Sequence, residues 1–204
     1  MKKLLIYLPV ALLLVLASCS DEMELKKSVF IPDDNNPDLP AYTEWGYNTF
    51  GAYYDRQRFL YDDYTMPAKM INTGGKTSFT LKGHISPSGY DYYGSANEMS
   101  LTFDFYSFDP QLYTDLITLN DLTVDLTGST IKVRGKIDTT NFDIEILNGT
   151  IVFKRAQNLL VDKKMIEIIL SGTFEFQALV DDEPISVTLG RFDVGIGKDN
   201  FYRY

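Results

Sequence analysis

Cysteine and histidine are almost missing from this 204-residue chain, which holds one of each. One thiol cannot close an internal disulfide, and one imidazole cannot build a zinc finger or a His-clustered centre, so neither a metal nor another cofactor is expected. Positive charge is scarce as well: 19 Lys and Arg stand against 28 Asp and Glu, for a formal net charge of −9. So acidic a chain has no electrostatic footprint for a phosphate backbone, which removes nucleic acid from the expected partners. Beyond the N-terminal residues, no apolar run approaches the roughly 20 residues that span a bilayer. What the chain has in quantity is aromatic, with 14 Tyr and 13 Phe beside a single Trp. That content is too high for a disordered chain and supplies the core of one domain.

Residues 1–18 read as an address. Lys2 and Lys3 form a basic start, Leu4–Leu16 is an apolar run, and the small residues Ala17 and Ser18 follow. The run has the length and flanks of a secretory signal peptide, and is short for a spanning helix. Leu16-Ala17-Ser18-Cys19 resembles a bacterial lipobox, which implies cleavage before Cys19 and acylation of its thiol. Each buried acyl CH₂ contributes about 0.8 kcal/mol, so two or three chains hold a protein stably at a membrane. Ser20-Asp21-Glu22-Met23-Glu24 resembles the export signal of Bacteroidetes surface lipoproteins. The expected location is therefore the outer membrane, lipid-anchored and at the cell surface. Residues 19–44 read as an acidic, Pro-containing tether that does not pack, ahead of a folded domain over 45–204. The carboxylates around Asp33 and Asp34 lack the glycine and distal Glu of a calcium loop.

From Trp45 onward, period-2 alternation dominates. Ser78–Lys82 alternates polar and apolar, and Leu101, Phe103 and Phe105 fall on one face. Ile131, Val133 and Ile137 point inward, with Lys132, Arg134 and Lys136 outward. Asn148-Gly149 lies between two such runs and predicts a hairpin turn. Ser171-Gly172 predicts a bulge or bend inside one long strand, and Asp181-Asp182-Glu183-Pro184 another turn. Asp109 followed by Pro110 predicts a short helix over 110–116. The sum is an all-β, antiparallel domain with at most one short helix. The pattern favours a β-sandwich, and a lipocalin-like up-and-down barrel is the alternative, since alternation is the same on an open or a closed sheet.

Tyr47-Asn48-Thr49-Phe50-Gly51 opens the domain, and Gly172-Thr173-Phe174-Glu175-Phe176 and Gly190-Arg191-Phe192-Asp193 close it. These motifs resemble a group of Bacteroidetes lipoproteins of unknown function with the same opening and closing strands. The resemblance spans roughly residues 46–195 and implies location and fold. It transfers no catalytic residue. Asp55-Arg56-Gln57 departs from the Asn-Gly or Asp-Gly turn that would be expected after the opening strand.

Chemistry-bearing patterns are weak. Gly74-Gly75-Lys76-Thr77 imitates a P-loop end, but Met70 stands where the first glycine belongs, so it reads as a turn. His84 with Ser86 or Ser88 lacks any nucleophile elbow, and reads as a strand-end histidine. The pairs Asp62/Asp63, Asp143/Glu145 and Asp181/Asp182 fall on solvated faces or turns, where glycosidic chemistry has no cleft. Asp138-Thr139-Thr140 resembles a Bacteroidetes O-glycosylation site and equally suits a plain turn. The sharper signal is aromatic: Tyr42, Trp45, Tyr47, Phe50, Tyr53, Tyr54, Phe59, Tyr61 and Tyr64 crowd one stretch, and Tyr90, Tyr92 and Tyr93 another. Strands favour aromatics for packing alone, yet Trp45, Tyr90, Tyr92 and Tyr93 sit where a contact surface is expected. The chain thus reads as a non-enzymatic envelope lipoprotein, lipidated at Cys19, that binds a glycan or an envelope protein. A lipocalin-like carrier of a small apolar ligand is the alternative.

Overall fold

The computed structural model describes residues 27–61, 66–86 and 97–204. In chain order the elements are β1 (Thr49–Tyr54), β2 (Gln57–Leu60), β3 (Ala68–Asn72), β4 (Thr77–Ser86), β5 (Asn97–Phe105), a 3₁₀ helix (Tyr113–Leu119), β6 (Leu122–Asp125), β7 (Ile131–Ile137), β8 (Thr140–Val161), β9 (Lys164–Val180), β10 (Glu183–Gly197) and β11 (Phe201–Arg203). The all-β expectation holds, and nearly every pairing is antiparallel. The exception is β11, which runs parallel to β3.

The sheet closes. Hydrogen bonding runs β4–β2–β1–β10–β9–β8–β7–β5, and β5 returns to β4 along nine residue pairs from Thr77↔Phe105 to Ile85↔Asn97. Neighbours around this ring are mostly consecutive in sequence, as in an up-and-down barrel. Two strand edges are shared. β4 takes β3 along its first half and β2 along its last three residues, while β8 takes β7 first and β6 further on. Between the sandwich that the pattern favoured and the barrel kept as its alternative, the decision lies in the β1–β10 and β4–β5 seams. No local signal marks either seam.

The ring is filled. Phe79, Phe103, Phe153, Phe174 and Phe192 come from five different strands and are at most 2% exposed. Their rings meet across the interior: Phe79 is 5.4 Å from Phe192, Phe153 is 5.6 Å from Phe192, and Phe103 is 5.6 Å from Phe174, all edge-to-face. Burial of each such side chain contributes about 1.5–3 kcal/mol, and each pairing about 0.5–1.5 kcal/mol more. Gly172 makes the approach possible, because a Cβ there would stand 2.6 Å from Phe192 Cζ. The Phe- and Tyr-lined void that a carrier requires is therefore occupied by phenyl rings.

Three local expectations change. Asn148-Gly149 is not a hairpin turn: β8 runs through it, and the register with β9 slips between Ile146 and Asn148. The bulge is at Leu147, and Asn148 and Gly149 (φ 148°) pair in register with Gln177 and Phe176 inside a 22-residue strand. Ser171-Gly172 does lie inside one long strand, with the accompanying bulge across from it on β8, between Phe153 and Arg155. The short helix exists but starts at Tyr113, because Asp109 is engaged elsewhere and accepts from Asn72 Nδ2 at 2.7 Å. Asp115 caps the helix instead, accepting from the amides of Gln111 and Leu112.

The third change concerns the tether. From Val29 on, the segment expected not to pack is docked on the barrel wall. Val29 N–H donates to Tyr47 O at 2.8 Å, and Pro32 and Pro40 face one another in a bridge. Asp33 turns the chain by accepting from the amides of Asn35 and Asn36. Leu39 is wholly buried. Pro40 lies over Gly51, where a Cβ would be 2.5 Å from Pro40 Cδ. The folded unit therefore begins well before Trp45.

Candidate functional site: a pinned aromatic surface

The outer face of β10 carries Arg191 and Asp193, two residues apart and so on the same side. Both are buried, because the N-terminal segment lies over them. Arg191 Nη1 donates to Asp33 Oδ2 at 2.7 Å and to Pro40 O at 3.3 Å. Desolvation opposes ionisation of the Asp33 carboxyl, but the hydrogen bonds from the Asn36 and Asn35 amides and the bond and charge of Arg191 together outweigh it and hold the group below its ordinary range.

Asp193 does more. Its carboxylate, 1% exposed, accepts from Thr43 Oγ1, from the amides of Trp45, Gly46 and Tyr47, and from Ser171 Oγ. Three successive amides converging on one carboxylate make a backbone nest, with the protein's own anion as its occupant. Gly46 permits the curl at φ 75°. Gln157 Nε2 adds a bond to Glu44 O at 2.5 Å. The loop is held at almost every residue, and its product is Trp45, which is 72% exposed.

Apolar surface adjoins it. Val29, Phe30 and Ile31 are exposed on the segment whose first amide bonds Tyr47. On the other side lies a shallow groove of about 320 Å³ bordered by Tyr42, Val152, Phe174 and Leu189. Leu189 occupies a bulge of β10 at φ 53°, a costly conformation for Leu, and stays exposed. Tyr42 is clamped: its hydroxyl donates to Glu44 Oε1 at 2.8 Å, and Lys154 Nζ stands 4.7 Å above its ring. Burial, followed by the Glu44 bond and charge, pushes the Tyr42 phenol well above its ordinary value.

Of the residues expected to form a contact surface, Trp45 is thus exposed, while Tyr90, Tyr92 and Tyr93 lie outside the described residues, as do Cys19, Ser88, Asp62, Asp63 and Tyr64. The rest of the first aromatic cluster packs: Phe50, Phe59 and Tyr61 are core, and Tyr47, Tyr53 and Tyr54 are half-buried. His84 stands within β4, opposite Glu98 and Leu60. Gly74 and Gly75 form the β3–β4 turn with positive φ. Asp143 and Glu145 face solvent on β8, and Asp181 and Asp182 make the β9–β10 turn. Asp138 and Thr139 lie exposed between β7 and β8, and Thr140, also exposed, opens β8. Among the described residues no group of three His, Cys, Asp or Glu could hold a metal ion. The sequence reading missed Asp193, Arg191 and Ser171 as anchors. Their signal was a charge inside an apolar strand, which alternation alone assigns to solvent. No protein-family model, curated protein or solved structure matches the chain.

Proposed function

We propose that this protein is a non-enzymatic, lipid-anchored module of the outer cell envelope, whose contact surface is centred on Trp45. The observation that carries the reading is the contrast at that residue: a fully pinned backbone presenting an exposed indole. A rigid aromatic loses little entropy on binding, which is what an interface anchor requires. The apolar neighbours Val29, Phe30 and Ile31 favour a protein partner. Stacking on a sugar ring is the second reading, supported by the exposed indole of Trp45. A carrier role is disfavoured by the phenyl-filled ring.

Anchoring rests on Cys19, the sole thiol. Metabolic labelling with a palmitate analogue is expected to mark the wild type and to leave Cys19→Ala unmarked. A photo-crosslinker at position 45 in intact cells is expected to give a discrete protein adduct. If it gives none, and a glycan array distinguishes wild type from Trp45→Ala, the sugar reading replaces the protein one.

A further inference from the structure

The positive charge of this acidic chain is unevenly placed. On the outer face of β3, β4, β5 and β7, the strand registers set side chains in cross-strand rows. One row reads Lys69–Thr80–Thr102–Arg134 and the next Lys82–Ser100–Lys136. Cations stand at both ends of each row, with hydroxyls between them. Neighbouring strands lie about 4.8 Å apart, so the cations within a row are separated by roughly 10–14 Å.

The rows form a trough. Thr80 is buried although it points outward, because the long side chains of the rims rise around it. Two adjoining clefts of about 330 and 290 Å³ share Lys69, Thr80, Ser100 and Lys136 in their linings. Thr80 and Thr102 hydroxyls meet at 3.0 Å on the floor. Arg134 is set in place from below. Its Nε and Nη2 fork onto Asp104, 1% exposed, at 2.6 and 3.0 Å, and Ser78 Oγ donates to the same carboxylate. Nη1 takes no part in that fork. Lys82 pairs with Glu98 at 3.3 Å, and Asp138 stands on the rim of the second cleft. Lys69 and Lys136 form no ion pair among the described residues, and Lys76 acts on Asp104 through its charge without a direct ion pair.

We infer that this trough binds a linear anionic polysaccharide, its sulfate or carboxylate groups on the rim amines and Arg134, its hydroxyls on the Ser and Thr floor. The remaining carboxylates of the chain act weakly here, since charges beyond about 8–10 Å are screened at physiological salt. The preference for a glycan over a nucleic acid rests on the envelope location proposed above; the trough does not depend on it.

The test is titration of the purified Cys19→Ala full chain, in detergent, with a heparin-type octasaccharide at low and high ionic strength. Because that chain cannot be acylated at Cys19, failure of the lipid anchor and failure of the trough are separate results. Binding is expected at low salt and is expected to weaken as salt rises. Adding Lys69→Ala and Lys136→Ala, both exposed, is expected to weaken it at least about fivefold, the loss of two modest ion pairs. Lys163→Ala, in the β8–β9 turn, is the control and is expected to bind like its parent. No binding at low salt would overturn the inference, as would equal affinity in the double-lysine variant. Equal affinity for a DNA oligonucleotide, or capture only by anionic phospholipid vesicles, would overturn it in favour of those ligands.

Discussion

At the scale of single residues, two buried carboxylates organise the surface. Asp193 accepts five hydrogen bonds, and four of them come from the loop that presents Trp45. Asp193→Ala leaves three part-buried amides without an acceptor and is expected to cost about 2–4 kcal/mol in chemical denaturation. Since Trp45 is the only tryptophan, its fluorescence anisotropy should fall in the same variant as the loop loosens. Asp104 acts on the other side of the barrel. Burial opposes its ionisation, but the hydrogen bonds from Arg134 and Ser78 outweigh that and lower its carboxyl below the ordinary value. Its contribution is therefore complete above the unfolded carboxylate value, near 4, and disappears as pH falls through the lower folded value. Asp104→Asn should cost about 1.5–3 kcal/mol at neutral pH. Denaturation midpoints followed from pH 7 downward should show a flatter acid limb in the variant than in the wild type.

At the scale of elements, turn chemistry is local, yet of the three two-residue hairpin loops only Asp181-Asp182 was read from the sequence as a turn. Asp55-Arg56, Asp162-Lys163 and Asp181-Asp182 each place two consecutive residues at positive φ, the geometry of a two-residue hairpin loop. The departure noted at Asp55-Arg56 is therefore the rule in this chain: Asp fills the first position and a non-glycine the second. Non-glycine residues cost about 1 kcal/mol in that region. Lys163→Gly is expected to stabilise the protein by about 0.5–1 kcal/mol, read as a raised denaturation midpoint. Asn148-Gly149 misled because a strand just past a bulge and a hairpin turn can both hold a glycine at positive φ. Only the continued pairing of β8 with β9 on both sides distinguishes them. The tether from residue 29 to 44 was misjudged for a related reason: its Asp, Asn and Pro residues suit a free linker, yet Asp33 finds Arg191, 158 positions away.

At the scale of the whole molecule, the barrel carries its aromatic side chains in two ways, stacked inside and displayed outside. Phe79 touches Phe103, Phe153 and Phe192 at the centre. Phe79→Ala is expected to cost about 3–5 kcal/mol and to open a dry cavity. A small aromatic such as benzene should then raise the melting temperature of the variant and leave the wild type unmoved. The outside is divided by chemistry. One wall holds Trp45 and its apolar neighbours, and the wall of β3, β4, β5 and β7 holds the cation-rimmed trough. Lys132, Arg134 and Lys136 were visible in the sequence as an outward stripe, but a stripe on one strand is not a site. Lys69 and Lys82 join it only through the registers of β3, β4 and β5.

The amino-acid order alone determined the strand class, several turns and the filled apolar face of each strand, because these depend on period, turn chemistry and residue type within a few positions. Which edges meet to close the ring, and which distant partner neutralises each buried charge, was decided by the tertiary structure. Those choices belong to pairs of residues tens to more than a hundred positions apart, and no short-range pattern encodes them.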